Sequence, residues 1–505
     1  MKIAHIIKNE YLDSLMLMEL SIEISGLPGV RQAVIMMGTE SNRRILEQVG
    51  LLVGEALNAT RHDLIVAAEI EHPLTETEFL TQFGKRLNGQ QRGLQGGVSY
   101  DRLDTALKTW PSARLVAISV PGEYAADLAR EALEQNRHVF CFSNHVSIED
   151  EILLKELAIK KGLLMMGPDC GTAILDGCGL GFANRARAGN IGLVSASGSG
   201  LQEVISLIDR GGGGISQAIG VGGRDMRSPV NGLMTEAAIR MLGLSTQTRV
   251  IVILAKSASP EAQERVIRAA QETQLPLVVD FLSADGSDLS REEVTIAETF
   301  EACAREALSL VGIHTSLPAP DENIEQRMAS AVEGLEPGRW TVRGLFAGGS
   351  LCAEAKRILL ARGIIPATNL DEPLTTRTCG HLLIDLGAEE YTEGRSHPFI
   401  DPRLRTLEIE QAFADSTVGI LLLDVVLGLG CHPDPAGAVA TALRKAREEY
   451  GTGPLIVASV CGTSDDPQNL ERQQACLAQA GVFVTESNAA AARLAVEAAI
   501  RIERS

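Results

Sequence analysis

Apolar residues in this chain fall in short, nearly unbroken runs rather than in strict alternation. The runs 191–195 (IGLVS), 250–255 (VIVILA), 276–282 (PLVVDFL) and 418–424 are the pattern of strands buried on both faces of a parallel sheet. Similar runs at 3–8, 32–38, 63–69, 115–120, 138–143, 163–166, 216–221, 341–347, 382–386, 455–460 and 482–485 predict further strands. The intervals between them carry helical periodicity. Alternation of strand and helix along the whole length predicts an α/β protein built from βαβ units.

Three stretches break the pattern. Residues 89–99 (GQQRGLQGGVS) are rich in Gly and Gln and predict a loop. Residues 184–190 (NRARAGN) are polar and basic just before a strand. Residues 315–339 carry three prolines and predict a connection between units. The first ~90 residues, a strand–helix alternation, fit either a ferredoxin-like unit or part of a Rossmann half.

At 505 residues the chain exceeds one hydrophobic core. Its net charge of −19 argues against nucleic acid or an anionic membrane as partner, yet leaves room for a small anion held by backbone N–H groups. Nine dispersed cysteines without a CxxC pair read as reduced thiols with no metal spacing. The N-terminus lacks a signal-peptide core, and no uncharged run approaches the ~20 residues of a membrane span. A cytoplasmic protein is expected.

Candidate chemistry sits where strands end. After the strand at 191–195 comes Ser195-Ala-Ser197-Gly198-Ser199-Gly200 and then a helix, so unpaired N–H groups and the helix dipole point at whatever approaches. These residues fit a phosphate cradle, or equally a serine N-cap that binds nothing. A second elbow, Gly348-Gly349-Ser350, repeats the arrangement. A third, 422–437, gathers Gly428, Gly430, His432 and Asp434 at the end of an apolar strand, the place where open α/β sheets hold ligands. His432 is the candidate acid/base and Asp434 its candidate orienter. Gly222 and Gly223, in GVGGRDM, are candidate substrate contacts. Cys170 in GPDCG reads as a packed thiol, and the His-Pro units at 396–402 and 431–435 as loop geometry. No GxGxxG dinucleotide fingerprint is present here.

The segments MMGPDCGTAI (165–174), NIGLVSASGSGLQEV (190–204) and AIGVGGRDM (218–226), in this order, resemble the α subunit of succinyl-CoA synthetase. SVPGEYAADLAREAL (119–133) and FSNHVSIED (142–150) match that family's later CoA-domain loops, and 340–500 resembles the last domain of its β subunit. Within the family the chain is similar to the FdrA-like branch, through MGPDCGTAI, Leu345–Cys352 and Gly428–Gly437. The resemblance implies a Rossmann-like CoA-binding-type domain within 1–188, followed by two flavodoxin-like domains with parallel sheets at 189–315 and 340–505.

Departures from the family shape the expected chemistry. The synthetase carries a phosphohistidine loop after the strand corresponding to 276–282; VVDFLSADGSDLSREEV here contains no His. The N-terminal Gly/Thr-rich CoA loop and an ATP-grasp domain are also missing. The resemblance to the FdrA-like branch then implies an enzyme subunit that moves a carbamoyl or acyl group through an acyl-phosphate step, as in an oxamate carbamoyltransferase of purine catabolism. Phosphate or carbamoyl phosphate is the expected ligand, with CoA as a further possibility and other subunits of an oligomer as partners. The alternatives are an acid–thiol ligase whose nucleotide is bound by a partner, and a non-catalytic regulatory subunit that keeps the fold.

Overall fold

The computed structural model describes residues 1–504 except 9, 11, 13, 49, 94–99, 101, 283–293, 315–322, 371–379 and 393–395. Four sheets organise the described residues. The first has three strands, Lys2–Ile7, Val30–Met37 and Leu64–Ile70, with the last between the other two and antiparallel to both. That split β-α-β order is ferredoxin-like; a Rossmann half would be parallel. The helix Glu76–Gly93 runs through the start of the loop expected at 89–99. The remainder of that expected loop, 94–99, lies outside the described residues.

A small parallel sheet follows, formed by Leu115–Ile118, His138–Cys141 and Met165–Met166. The chain then enters a seven-stranded sheet whose parallel core is Val294–Ile296, Leu277–Phe281, Val250–Ala255, Ala188–Ser195 and Ile215–Gly220. A hairpin, Thr172–Leu175 with Cys178–Gly181, extends it on the side of Ile215–Gly220. Short strands in a Gly- and Cys-rich stretch gave no apolar run, so the sequence did not predict this hairpin. It lies on the N-terminal side of the boundary expected at 188, so the seven-stranded sheet begins before that boundary.

The last sheet is parallel throughout, in the order Ala367–Thr368, Leu382–Asp385, Thr341–Phe346, Val418–Val426, Leu455–Cys461 and Phe483–Thr485. Part of the connection expected at 315–339 is a helix, Ile324–Glu333. Ile324, Met328 and Val332, spaced one turn apart, bury against the core there.

The last two sheets share a single core. One apolar cluster runs from Ile191, Leu201 and Phe300 to Phe346, Leu351 and Val496 without a break. The helix Gly198–Arg210 is buried from Ser199 to Asp209, as befits a helix enclosed on all sides. This shared core brings the ends of the central strands of the two sheets together. No helix among the described residues is long and apolar enough to cross a membrane.

Candidate functional site

The first elbow is built by hydrogen bonds among its own serines. Ser195 Oγ donates to Ser197 O at 2.8 Å and accepts from Ser197 N at 3.0 Å. Ser197 takes an extended backbone at φ −142° and caps the helix Gly198–Arg210, its Oγ accepting from Gly200 N at 3.0 Å. The second elbow meets it head-on. Ser197 Oγ donates to Ser350 Oγ at 2.6 Å, and Ser350 N donates to Ser199 Oγ at 3.2 Å. A Cβ on Gly348 would lie 2.8 Å from that of Ser199, so glycine there lets the two helix starts touch.

The donors are divided unequally between the elbows. Ala347 N and Gly348 N both donate to the buried carboxylate of Asp424, at 2.8 and 2.7 Å. Arg405 Nη2 closes on the same carboxylate at 2.6 Å. Asp424 was visible in the sequence only as an interruption of an apolar run. Gly348 N is therefore committed within the protein, as is Gly200 N, and Ser195, Ser197 and Ser350 act as scaffold. Gly198, Ser199 and Gly349 stand at first-turn positions, whose N–H groups find no acceptor within the helix. The Gly198 face is open: a Cβ there would meet nothing nearer than Thr172 Oγ1 at 3.9 Å.

Charged groups line the space beside these glycines. Lys256 follows the strand Val250–Ala255, next to Ser195 in the sheet. Its Nζ lies 3.6 Å from Asp385 Oδ2, and a Cβ on Gly349 would crowd both atoms, at 2.5 and 2.2 Å. Asp385 ends its own strand and is nearly buried. Burial raises its pKa, and Lys256 opposes that shift. Asp169 presents its side chain to the crevice, while the walls around it withdraw the carboxyl from bulk water and raise its pKa to about 6; Arg224 and Lys256 oppose that rise. Gly223 borders Asp169, and Gly222, at φ +89°, packs on Pro168, where any Cβ would collide with a carbonyl at 2.3 Å. At the rim His145 pairs with Glu389 at 3.2 Å. Lys256, Asp385 and Asp169 were missed by sequence reasoning. The available signal was a charged residue closing an otherwise apolar strand, or one beside a Gly-Pro pair.

Other expected site residues lie elsewhere or serve the scaffold. Gly428 and Gly430, both at positive φ, pack on Phe182 and Ala183. His432 N donates to Phe399 O at 2.7 Å, and His432 Nδ1 accepts from Asp434 N at 3.1 Å, which leaves the proton on Nε2. The Asp434 carboxylate binds Gln473 Nε2 at 2.8 Å and Arg472 at 3.5 Å rather than the imidazole. The carboxylate of Asp434 thus does not orient His432; its backbone does. Neither residue makes a hydrogen bond to the serine elbows. His397, expected only to shape a loop, stands closer to the charged cluster: its Nε2 and Asp385 Oδ1 flank Gly387, within 2.9 and 3.2 Å of where a Cβ would be. Burial lowers its pKa to about 4, so it is neutral at pH 7. Arg224 and Asp225 belong to a buried ion cluster in which Lys155 Nζ bonds Glu151 at 2.7 Å and Asp225 at 2.8 Å. Cys170 is buried and donates to Thr172 O, and burial pushes its pKa to about 12, as a packed thiol requires.

One turn down each elbow helix stands a buried glutamate. Asn488 joins the two: its backbone N donates to Glu203 Oε1 at 3.0 Å and its Nδ2 to Glu354 Oε2 at 2.8 Å. Burial raises the pKa of both, that of Glu354 to about 8.

Parts of this architecture are similar to those of known proteins. Residues 345–498 match the family model described as CoA-ligase, and residues 1–101 match the model "AllF, heavy metal-associated domain". The chain is 35% identical over 504 residues to the uncharacterized protein YahF of Escherichia coli (strain K12), covering 97% of each. It belongs to the family of that protein. It is also 28% identical over 166 residues to the succinate–CoA ligase [ADP-forming] subunit alpha of Aquifex aeolicus (strain VF5), spanning 32% of this chain and 53% of that one. Among solved structures, the ATP citrate lyase of Methanothrix soehngenii in complex with citrate and coenzyme A is similar with 18% identity and a TM-score of 0.35, covering 46% of each chain. The words "heavy metal" find no matching donor set: residues 1–101 contain no cysteine, and no group of three His, Cys, Asp or Glu able to hold an ion occurs among the described residues.

Proposed function

We propose that the chain is an enzyme subunit that transfers a carbamoyl or acyl group through an acyl-phosphate step at the paired elbows. The observation that carries this reading is the contact of two helix N-termini through Ser197 and Ser350 at 2.6 Å. Gly198 and Ser199, joined by Gly349, would hold the phosphate with backbone N–H groups where both helix dipoles are positive. The same donors stabilise the oxyanion formed as the carbonyl carbon is attacked, a contribution of roughly 3 kcal/mol per donor in a water-poor site. In the carbamoyl case a phosphate oxygen attacks the ureido carbonyl carbon of a substrate such as oxalurate. The C–N bond then breaks, and the departing amide nitrogen takes the bonding pair and a proton.

A second reading, an acid–thiol ligase, is supported by the CoA-ligase match over 345–498. There the attack on the acyl phosphate comes from the CoA thiolate, phosphate leaves, and a partner supplies the nucleotide. A cavity of about 390 Å³ bounded by Arg61, His62, Pro121 and Tyr124 adjoins the loop after Leu115–Ile118, where the family resemblance would seat CoA.

Phosphorus NMR separates the readings. The full chain with its co-purifying subunits is given phosphate and oxalurate in one tube, and a carboxylic acid, CoA and nucleotide in another. A carbamoyl phosphate signal in the first supports the proposal. Thioester formation in the second alone transfers the protein to the ligases, and silence in both leaves a binding subunit.

A further inference from the structure

A cavity of about 600 Å³ lies at the far end of the helix whose start forms the first elbow. Arg210 is the last residue of Gly198–Arg210, so it stands roughly 18 Å along the helix axis from Gly198. Both large units border this cavity. Arg187, Asp209 and Arg210 come from the unit of the seven-stranded sheet. Ser464, Glu471 in the helix Leu470–Gln479, and Glu486 after the strand Phe483–Thr485 come from the last unit.

The charged residues around the cavity do not neutralise one another. Arg187 and Asp209 satisfy each other, Asp209 Oδ1 accepting from Arg187 N at 3.0 Å and from its Nε at 2.9 Å. Glu471 accepts from Ser464 Oγ at 2.5 Å and is exposed. Glu486 is half-buried and takes a hydrogen bond from its own backbone N–H; among the described residues no lysine or arginine comes within 4.0 Å of its carboxylate. Arg210 is half-buried too. Its guanidinium makes no hydrogen bond or ion pair with any described residue, and its Nη1 is buried without an acceptor, which an arginine in a folded protein ordinarily avoids. Its charge nevertheless acts on both Glu471 and Glu486. One cation and two carboxylates thus face a single cavity across gaps wider than an ion pair.

We infer that this cavity is a binding site for a free α-amino acid, whose carboxylate pairs with Arg210 and whose ammonium pairs with Glu486. The guanidinium fork matches a carboxylate, and an unpaired carboxylate matches an ammonium. A simple anion would meet two glutamates, and a simple amine would leave Arg210 without an acceptor. With Arg187 and Asp209 cancelling, one positive charge faces two negative ones. A side chain that brings a second cation completes the balance at Glu471, whereas an acidic side chain meets repulsion there. The site is separate from the elbows, and its occupation does not require the reaction proposed for them. Because each unit supplies one partner, a bound amino acid also ties the two units together.

The test is isothermal titration of the full chain with lysine, alanine and glutamate, with acetate and methylammonium as the two half-ligands, and thermal unfolding in parallel. Lysine and alanine are expected to bind saturably and raise Tm, with lysine at least tenfold tighter than glutamate. Each half-ligand is expected to bind at least tenfold more weakly than alanine. Arg210→Met should weaken lysine at least tenfold, and Glu486→Gln several-fold. Absence of saturable binding by both lysine and alanine overturns the inference, as does acetate binding as tightly as alanine. Unchanged lysine affinity in a folded Arg210→Met also overturns it. If Arg210→Met does not fold, Glu486→Gln decides: lysine affinity equal to wild type there overturns the inference, and a several-fold loss supports it.

Discussion

Ser197 and Ser350, 153 residues apart in the chain, share a hydrogen bond of 2.6 Å between their hydroxyl groups. Each sits at the start of a helix that begins another sheet's central crossover, and the bond holds the two helix starts in one place. Ser197 also caps its own helix. Ser197→Ala is therefore expected to cost about 1–2 kcal/mol, the sum of a lost cap and an orphaned Ser350 hydroxyl. Ser350→Ala should cost less, about 1 kcal/mol, because the cap survives. Denaturant unfolding of the two single variants and the double variant would show coupling of about 0.5 kcal/mol or more; strict additivity would mean the contact does not stabilise.

The second elbow depends on a buried ion pair. Asp424 accepts from Ala347 N and Gly348 N while Arg405 neutralises it, all of them buried. Arg405→Ala leaves a buried carboxylate without its counter-charge and is expected to lower stability by about 3–5 kcal/mol. The comparison is Arg405→Met with Asp424→Asn together, which removes both charges and should recover much of the loss in thermal unfolding. Equal destabilisation by the single and double changes would contradict the pairing.

Glu354 gives a pH signature. Its carboxyl is held protonated by burial, with a pKa near 8 in place of 4.5. A carboxyl whose pKa is raised on folding contributes stability below its unfolded value and loses it as pH rises. From about pH 5 to pH 8 the folded chain should thus lose stability, with a slope approaching ~1.4 kcal/mol per pH unit for this one group. Glu203, raised in the same direction and linked through Asn488, adds to the trend. Glu354→Gln keeps the hydrogen bond to Asn488 within reach and removes the titration, so its unfolding free energy should vary less over that range. An unchanged pH slope would place the charge elsewhere.

The third loop makes a negative prediction. His432 and Asp434 are tied to Phe399, Gln473 and Arg472 and make no hydrogen bond to the serines. His432→Ala and Asp434→Asn should leave phosphate affinity within about twofold of wild type by titration, whatever they do to turnover. A tenfold loss in either would return this loop to the phosphate site.

Much of the fold could be read from the chain because fully buried parallel strands leave unmistakable apolar runs. Every strand of five residues or more, from Lys2–Ile7 to Leu455–Cys461, overlaps a predicted run, whereas the short strands Val294–Ile296 and Ala367–Thr368 fall in none. The hairpin Thr172–Leu175 and Cys178–Gly181 was hidden because two four-residue strands, the outer one reading CGLG, carry no long apolar run. The elbows were visible as Ser/Gly strings, but which N–H groups remained available was not. That division is decided by Asp424, which lies 76 residues from Gly348 and reads in sequence as a flaw in a strand. Lys256 was overlooked for a related reason. A lysine after an apolar strand is ordinarily a solvated end, and only the packing of the two sheets brings it onto Gly349.

The most direct measurement compares phosphate binding in the wild-type chain and in Gly198→Ala, with CoA titrated in parallel. Gly198 has room for a methyl group as far as the protein is concerned, and alanine suits the first helical turn, so the variant should be as stable as wild type or more so by up to about 1 kcal/mol. The methyl group would nevertheless stand in the open face where the phosphate is expected. Saturable binding of phosphate and carbamoyl phosphate by wild type, weakened at least tenfold in a fully folded Gly198→Ala, is the result expected of a phosphate site at the paired elbows. Equal phosphate affinity in the two proteins, or binding of CoA alone, would contradict it.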